Sequence, residues 1–134
     1  MRGNPWPMGT MASGWGGWVA AWLIAFAVTL LIEAPIATAL LAPAEPSWKR
    51  RTALALFAQL VSHPAVWFVF PALGLLGVRW TASTALAEAW AFVIEAVFYR
   101  VALPSLTARR AMTTSAISNA ASFGAGLVLA PLLA

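Results

Sequence analysis

The stretch ALAEAWAFVIEAVFYRVAL, residues 85–103, sets two carboxylates, Glu88 and Glu95, in a run otherwise apolar enough to lie in lipid. An ionisable side chain at the bilayer centre costs roughly 2.5–3.5 kcal/mol on insertion scales, so such residues turn toward a bundle interior or a wet cavity. Residues 18–41, WVAAWLIAFAVTLLIEAPIATALL, repeat the pattern with Glu33. The chain has no Asp, and its remaining acid, Glu45, sits in a polar connection. Three of four acids therefore fall in apolar surroundings, which makes the polar centre of a membrane bundle the first thing to locate.

Composition fits lipid as part of the solvent. Of 134 residues, 62% are hydrophobic and 9% charged, against about 25% charged in a soluble domain. The mean hydropathy is +0.83. The eight Lys and Arg are scattered among connections and give a net charge of +4. They form no basic face, so nucleic acid is not an expected partner, and their placement suits membrane topology. The absence of Cys excludes disulfides, iron–sulfur clusters and thiol catalysis. One histidine excludes any site built on two imidazoles.

The reading is an all-α integral membrane protein: a four-span helical bundle with spans at about 18–41, 53–78, 85–103 and 115–133. Each reaches or approaches the ~20 residues that cross a hydrocarbon core. Helices are expected because every segment must satisfy its own backbone in lipid. Residues 1–17, rich in Gly, Pro and Met, read as a loose tail, and 18–134 as one transmembrane domain. Short connections favour antiparallel neighbours. Loops 42–52 and 104–114 carry Lys49, Arg50, Arg51, Arg109 and Arg110. They should be cytoplasmic, with both termini extracytoplasmic and the plasma (inner) membrane as the location. A cleavable signal peptide is the competing account of the first span, since Ala37-Thr38-Ala39 imitates a cleavage site. The apolar run is too long for it and contains Glu33. Trp6, Trp15, Trp18, Trp48 and Trp80 read as interfacial belts.

Counting from the cytoplasmic ends at ~1.5 Å per residue places Glu33 and Glu95 roughly 12 Å deep, His63 roughly 15 Å and Asn119 roughly 6 Å. All four spans thus put a polar group in the same half of the bilayer. Helical spacing groups Glu88, Glu95 and Tyr99 on one face, Gln59 with His63 on another, and Ser115, Asn119 and Ser122, with Ser118 alongside, on a third. Pro35, Pro64 and Pro71 free carbonyls near this depth, either as spare acceptors or as mere kinks. Glu88 lies nearer the outer end and reads as a solvated acid lining a mouth. Arg100 and Tyr99 fall near the cytoplasmic boundary, where both can snorkel, although Tyr99 could instead bond Glu95.

Glu33, His63 and Glu95 are the candidates for binding a proton or a cation. Gln59, Glu88, Tyr99, Ser115, Ser118, Asn119 and Ser122 are candidate supporting groups. Two carboxyls at one depth compete for charge, so one holds a proton unless a cation or His63 compensates. The bland counterpart is a neutral hydrogen-bonded core that fixes helix register, with Ser and Asn as interhelical glue. Three functions follow: transport or conduction of protons or a cation, an accessory or assembly subunit of a larger membrane complex, or a metal-dependent intramembrane enzyme. The enzyme would use Glu33, His63 and Glu95 as ligands. No hydrolase, zinc-protease, P-loop or dinucleotide motif is present, and no cofactor is required, although His63 could serve as an axial ligand. A chain this small is expected to act as a homo-oligomer or beside a larger partner in the lipid bilayer.

Overall fold

The computed structural model describes residues 14–133, with side chains over 16–128. Among them every regular element is helical. Helix α1 runs Gly14–Leu40 and α2 Trp48–Pro64; α2 continues through a π-helical turn, Ala65–Val69, and a 3-10 segment, Pro71–Leu76. Helix α3 runs Trp80–Ala102 and α4 Ala108–Leu133. The four helices pack in cyclic order, each against its two sequence neighbours, with α4 closing on α1. Short connections make each pair antiparallel.

Helix starts follow capping rather than the onset of apolarity. Ser47 caps α2, its hydroxyl accepting from Arg50 N at 3.4 Å. Thr107 does the same for Arg110 N at 3.3 Å. Lys49, Arg50, Arg51, Arg109 and Arg110 therefore lie in first helical turns, where the sequence suggested loops. The expected tail is likewise shorter, because Gly14–Gly17 belong to α1; residues 1–13 lie outside the described residues.

The second apolar run is not one continuous α-helix. Pro64 cannot donate, so the turn beyond it widens, with Phe70 N bonding to Ala65 O at 3.1 Å. Ser83 of α3 donates to Phe70 O at 2.5 Å, a carbonyl that also accepts from Leu73 N at 3.1 Å, and so ties α3 to the 3-10 segment. Gly77 ends the segment at φ +79°, a conformation that favours glycine.

At the opposite end Glu45 organises the first connection. Its carboxylate accepts from Ser47 N at 2.9 Å and pairs with Arg50 at 2.9 Å, while Arg51 donates to Glu45 O at 2.7 Å. Ser105 donates to Ala44 O at 3.1 Å and ties the third connection to the first. The apolar core lies beside these loops: Ala34, Ala37 and Leu41 meet Ala55, Ala58, Tyr99, Leu103, Leu106 and Ala111.

Polarity across the bundle is inverted. The interior is mostly alanine and polar side chains, while Leu31, Leu75 and Val101 are 77%, 83% and 75% exposed. Two helical stretches are long and apolar enough to cross a membrane, Gly16–Leu40 and Trp48–Leu76, containing 18-residue segments of mean hydropathy 2.1 and 1.6. Helices α3 and α4 have 23 and 26 residues, enough for ~30 Å at 1.5 Å per residue. Glu88, Glu95, Arg100, Arg109, Arg110 and several Ser and Thr dilute their apolar character.

Candidate functional site

Glu33 is 2% exposed and Glu95 1%. They face each other across the bundle axis, and all four helices contribute to what surrounds them. Gln59 of α2 donates from one amide nitrogen to Glu33 Oε2 and, at 3.0 Å, to Glu95 Oε1. Ser62, one turn further along α2, donates to Glu95 Oε1 at 2.7 Å. Asn119 of α4 donates to Glu95 Oε2 at 2.8 Å, and Ser122 of α4 donates to Glu33 Oε1. Every carboxyl oxygen thus meets a neutral donor. Among the described residues neither acid is paired with a Lys, Arg or His; the ion pair formed there joins Glu45 to Arg50.

The donors leave little choice of orientation. Asn119 Nδ2 also lies 2.9 Å from Ser115 O, a carbonyl that can only accept. Turning the amide would set oxygen against oxygen, so its two hydrogens go to Glu95 and Ser115. Gln59 Nε2 likewise has one hydrogen for each acid. Ser122 has one hydrogen and two acceptors in reach, Glu33 Oε1 and, at 3.1 Å, Asn119 O. Both contacts are satisfied together when Glu33 carries a proton, gives it to Ser122 Oγ, and Ser122 donates onward to Asn119 O. Glu95 receives three donors, Gln59, Ser62 and Asn119, against two side-chain contacts at Glu33.

The other polar residues go elsewhere. His63 Nδ1 accepts from Trp22 Nε1 at 3.0 Å. Its ring lies among Trp22, Phe26 and Trp67, with centroids 5.2–6.5 Å away. It bonds neither acid. Accepting at Nδ1 puts its proton on Nε2, so neither nitrogen is poised to ligate a metal or the axial position of a cofactor. Among the described residues no three His, Cys, Asp or Glu side chains converge on a metal position, which corrects the ligand set Glu33, His63 and Glu95. Ser115 donates to Phe92 O at 2.8 Å and Ser118 to Thr114 O at 2.9 Å. They join α4 to α3 and to itself rather than reaching the acids. Tyr99 is 1% exposed inside the apolar core and does not snorkel. Arg100 is exposed and donates to Pro104 O at 3.4 Å.

Glu88 is half-buried, two turns above Glu95, in a cleft of ≈ 270 Å³ lined by Trp80, Thr81, Thr84, Ala85 and Phe123. Ser62 is the contributor that sequence reasoning missed. Gln59 and Ser62, three apart, share a face as well as Gln59 and His63 do, and the titratable histidine drew the assignment. No protein-family model, curated protein or solved structure matches the chain.

Proposed function

We propose that this is a small integral membrane protein of four spans that passes protons through the Glu33–Gln59–Glu95 centre. The inverted polarity supports the four spans. Alanine and hydrogen-bonded polar groups are inside and large apolar side chains outside, an arrangement that would expose far more apolar surface than water tolerates. Lys49, Arg50 and Arg51 at the start of α2, with Arg109 and Arg110 at the start of α4, share one end of the bundle. That end is assigned to the cytoplasm of the plasma (inner) membrane, with both termini outside.

One observation carries the function: two buried carboxyls bridged by a single amide with no cationic side chain beside them. Two uncompensated charges in so dry a place are far more costly than one, so the pair must hold a proton or a cation. Oxygen ligands facing inward would favour a metal cation. Here Gln59, Ser62 and Asn119 turn hydrogens toward the acids and the Ser122 hydroxyl can give or take one, which suits proton exchange. The hydroxyls of Ser62 and Ser122 can reverse donor and acceptor roles and so pass the proton on. The chain would work as a homo-oligomer or beside a larger membrane protein. The test is flux: wild type in liposomes collapses an imposed pH gradient, and Glu95→Gln inserts normally yet abolishes the collapse. Equal flux from both proteins removes the reading.

A second reading has its own support. The six side chains of the centre satisfy one another as a closed network that fixes the register of four helices, which is what an accessory or assembly subunit would need. Co-purification in mild detergent separates the two. A stoichiometric larger partner, with no flux from the isolated chain, favours the accessory role.

A further inference from the structure

The cleft at the start of α3 is not needed by the buried centre, and it has features of its own. Thr84 and Glu88 are four residues apart and stack on one face of α3. The Thr84 hydroxyl oxygen is buried with no hydrogen-bond partner among the described residues. The Glu88 carboxyl receives no hydrogen bond there and pairs with no described cation. Both groups line the same ≈ 270 Å³ cleft, whose walls include the rings of Trp80 and Phe123. The volume is just under the ~300–1,000 Å³ of usual ligand pockets, which limits the occupant to a small molecule.

Each feature asks something of a ligand. An unpaired carboxylate calls for positive charge and N–H donors. The Thr84 hydroxyl is unpartnered but its oxygen is covered, so a ligand in the cleft bonds it once the Thr84 side chain rotates toward the cleft. Aromatic faces favour a cation or an aromatic ring. A hydrated metal ion uses the carboxylate alone and leaves the aromatic walls against its water shell. A primary ammonium on a short apolar or aromatic stem uses all three, one N–H for Glu88, another for the Thr84 oxygen, and the stem against the rings. We infer that the cleft formed by Trp80, Thr84, Glu88 and Phe123 binds a small primary arylalkyl- or alkylammonium ion. The site does not include the buried pair, and the inference holds whether or not that pair conducts.

Calorimetric titration of the purified full chain in detergent with phenethylammonium tests it, with the neutral isostere 2-phenylethanol and the trimethylated ammonium as companions. Wild type should bind phenethylammonium saturably and the alcohol at least about tenfold more weakly. Glu88→Gln should lose binding of both cations. Thr84→Val should weaken the primary ammonium and spare the trimethylated one, which has no N–H to give. Ala85→Phe, which fills the cleft and leaves the Glu88 side chain in the sequence, should block both and serves if Glu88→Gln fails to fold as judged by gel filtration. Glu95→Gln should bind as wild type does. No saturable binding, equal affinity for the alcohol, or binding indifferent to Glu88→Gln and Ala85→Phe overturns the inference. A chain that binds ammonium but moves no protons refutes the transport reading alone; one that moves protons but binds no ammonium refutes this inference alone.

Discussion

Gln59→Leu is the sharpest structural perturbation of the centre, because one nitrogen serves both acids. Leucine keeps an apolar side chain of similar bulk, one bond shorter and branched at Cγ, and removes the amide. Glu33 then loses its amide donor and retains the hydrogen bond with Ser122, while Glu95 loses one of three donors and retains Ser62 and Asn119. Interhelical hydrogen bonds in membrane proteins average about 0.6 kcal/mol each and reach about 1.7, whereas bonds to charged groups in soluble proteins are worth about 1.5–3. With two bonds lost in a dry site, the substitution should destabilise the bundle by about 1–3 kcal/mol. Reversible unfolding in mixed micelles, followed by helical circular dichroism, reads that difference. A double-mutant cycle with Glu33→Leu sharpens it, since the second substitution should cost less once the amide is gone. A change under about 0.3 kcal/mol for Gln59→Leu, or strict additivity in the cycle, would show that the bridge does not exist.

Three further outcomes follow. Ser122→Ala should slow proton flux at least about tenfold, since it removes the hydroxyl between Glu33 and the Asn119 carbonyl and general acid–base relays commonly contribute more than that; pH-dye kinetics in liposomes measure it, and an unaltered rate would rule out Ser122 as the exit. His63→Phe should leave flux unchanged, because His63 touches Trp22 and not the acids, while shifting tryptophan emission and costing about 1 kcal/mol for the lost bond; abolished flux would put His63 back on the path. Gly77→Ala should destabilise by about 1–2 kcal/mol through its left-handed backbone alone, since a Cβ there meets nothing within 4 Å; a neutral result in the unfolding assay would mean that the turn between the 3-10 segment and α3 can adopt another form.

Depth counting put Glu33, His63, Glu95 and Asn119 in one half of the bilayer, and the structure joins Glu33, Glu95 and Asn119 in one hydrogen-bonded network while His63 bonds Trp22. That much was legible because helical rise is fixed and acids in apolar runs are rare. Gln59 was read as a neighbour of His63, yet its role as the bridge depends on the rotation of α2 about its axis. Periodicity gives that rotation only to within one face. The same ambiguity concealed Ser62. It also misdirected His63, whose aromatic surroundings come from Trp22 and Phe26 on α1 and Trp67 beyond Pro64, a grouping that no local pattern encodes. Helix starts were displaced because apolarity marks what lies in lipid, whereas Ser47 and Thr107 decide where the backbone turns helical. The break after Pro64 was half visible: the proline signalled an interruption, but not whether the chain would kink or widen into a π turn closed by Phe70 N on Ala65 O.

The central claim is that Glu33 and Glu95 share a proton in a place sealed from water, and infrared spectroscopy of the reconstituted protein tests it most directly. The account predicts one protonated carboxyl C=O band at neutral pH that exchanges slowly with deuterium, disappears in Glu33→Gln and persists in Glu88→Gln. A spectrum with no buried protonated carboxyl, or a band indifferent to Glu33→Gln, would contradict it.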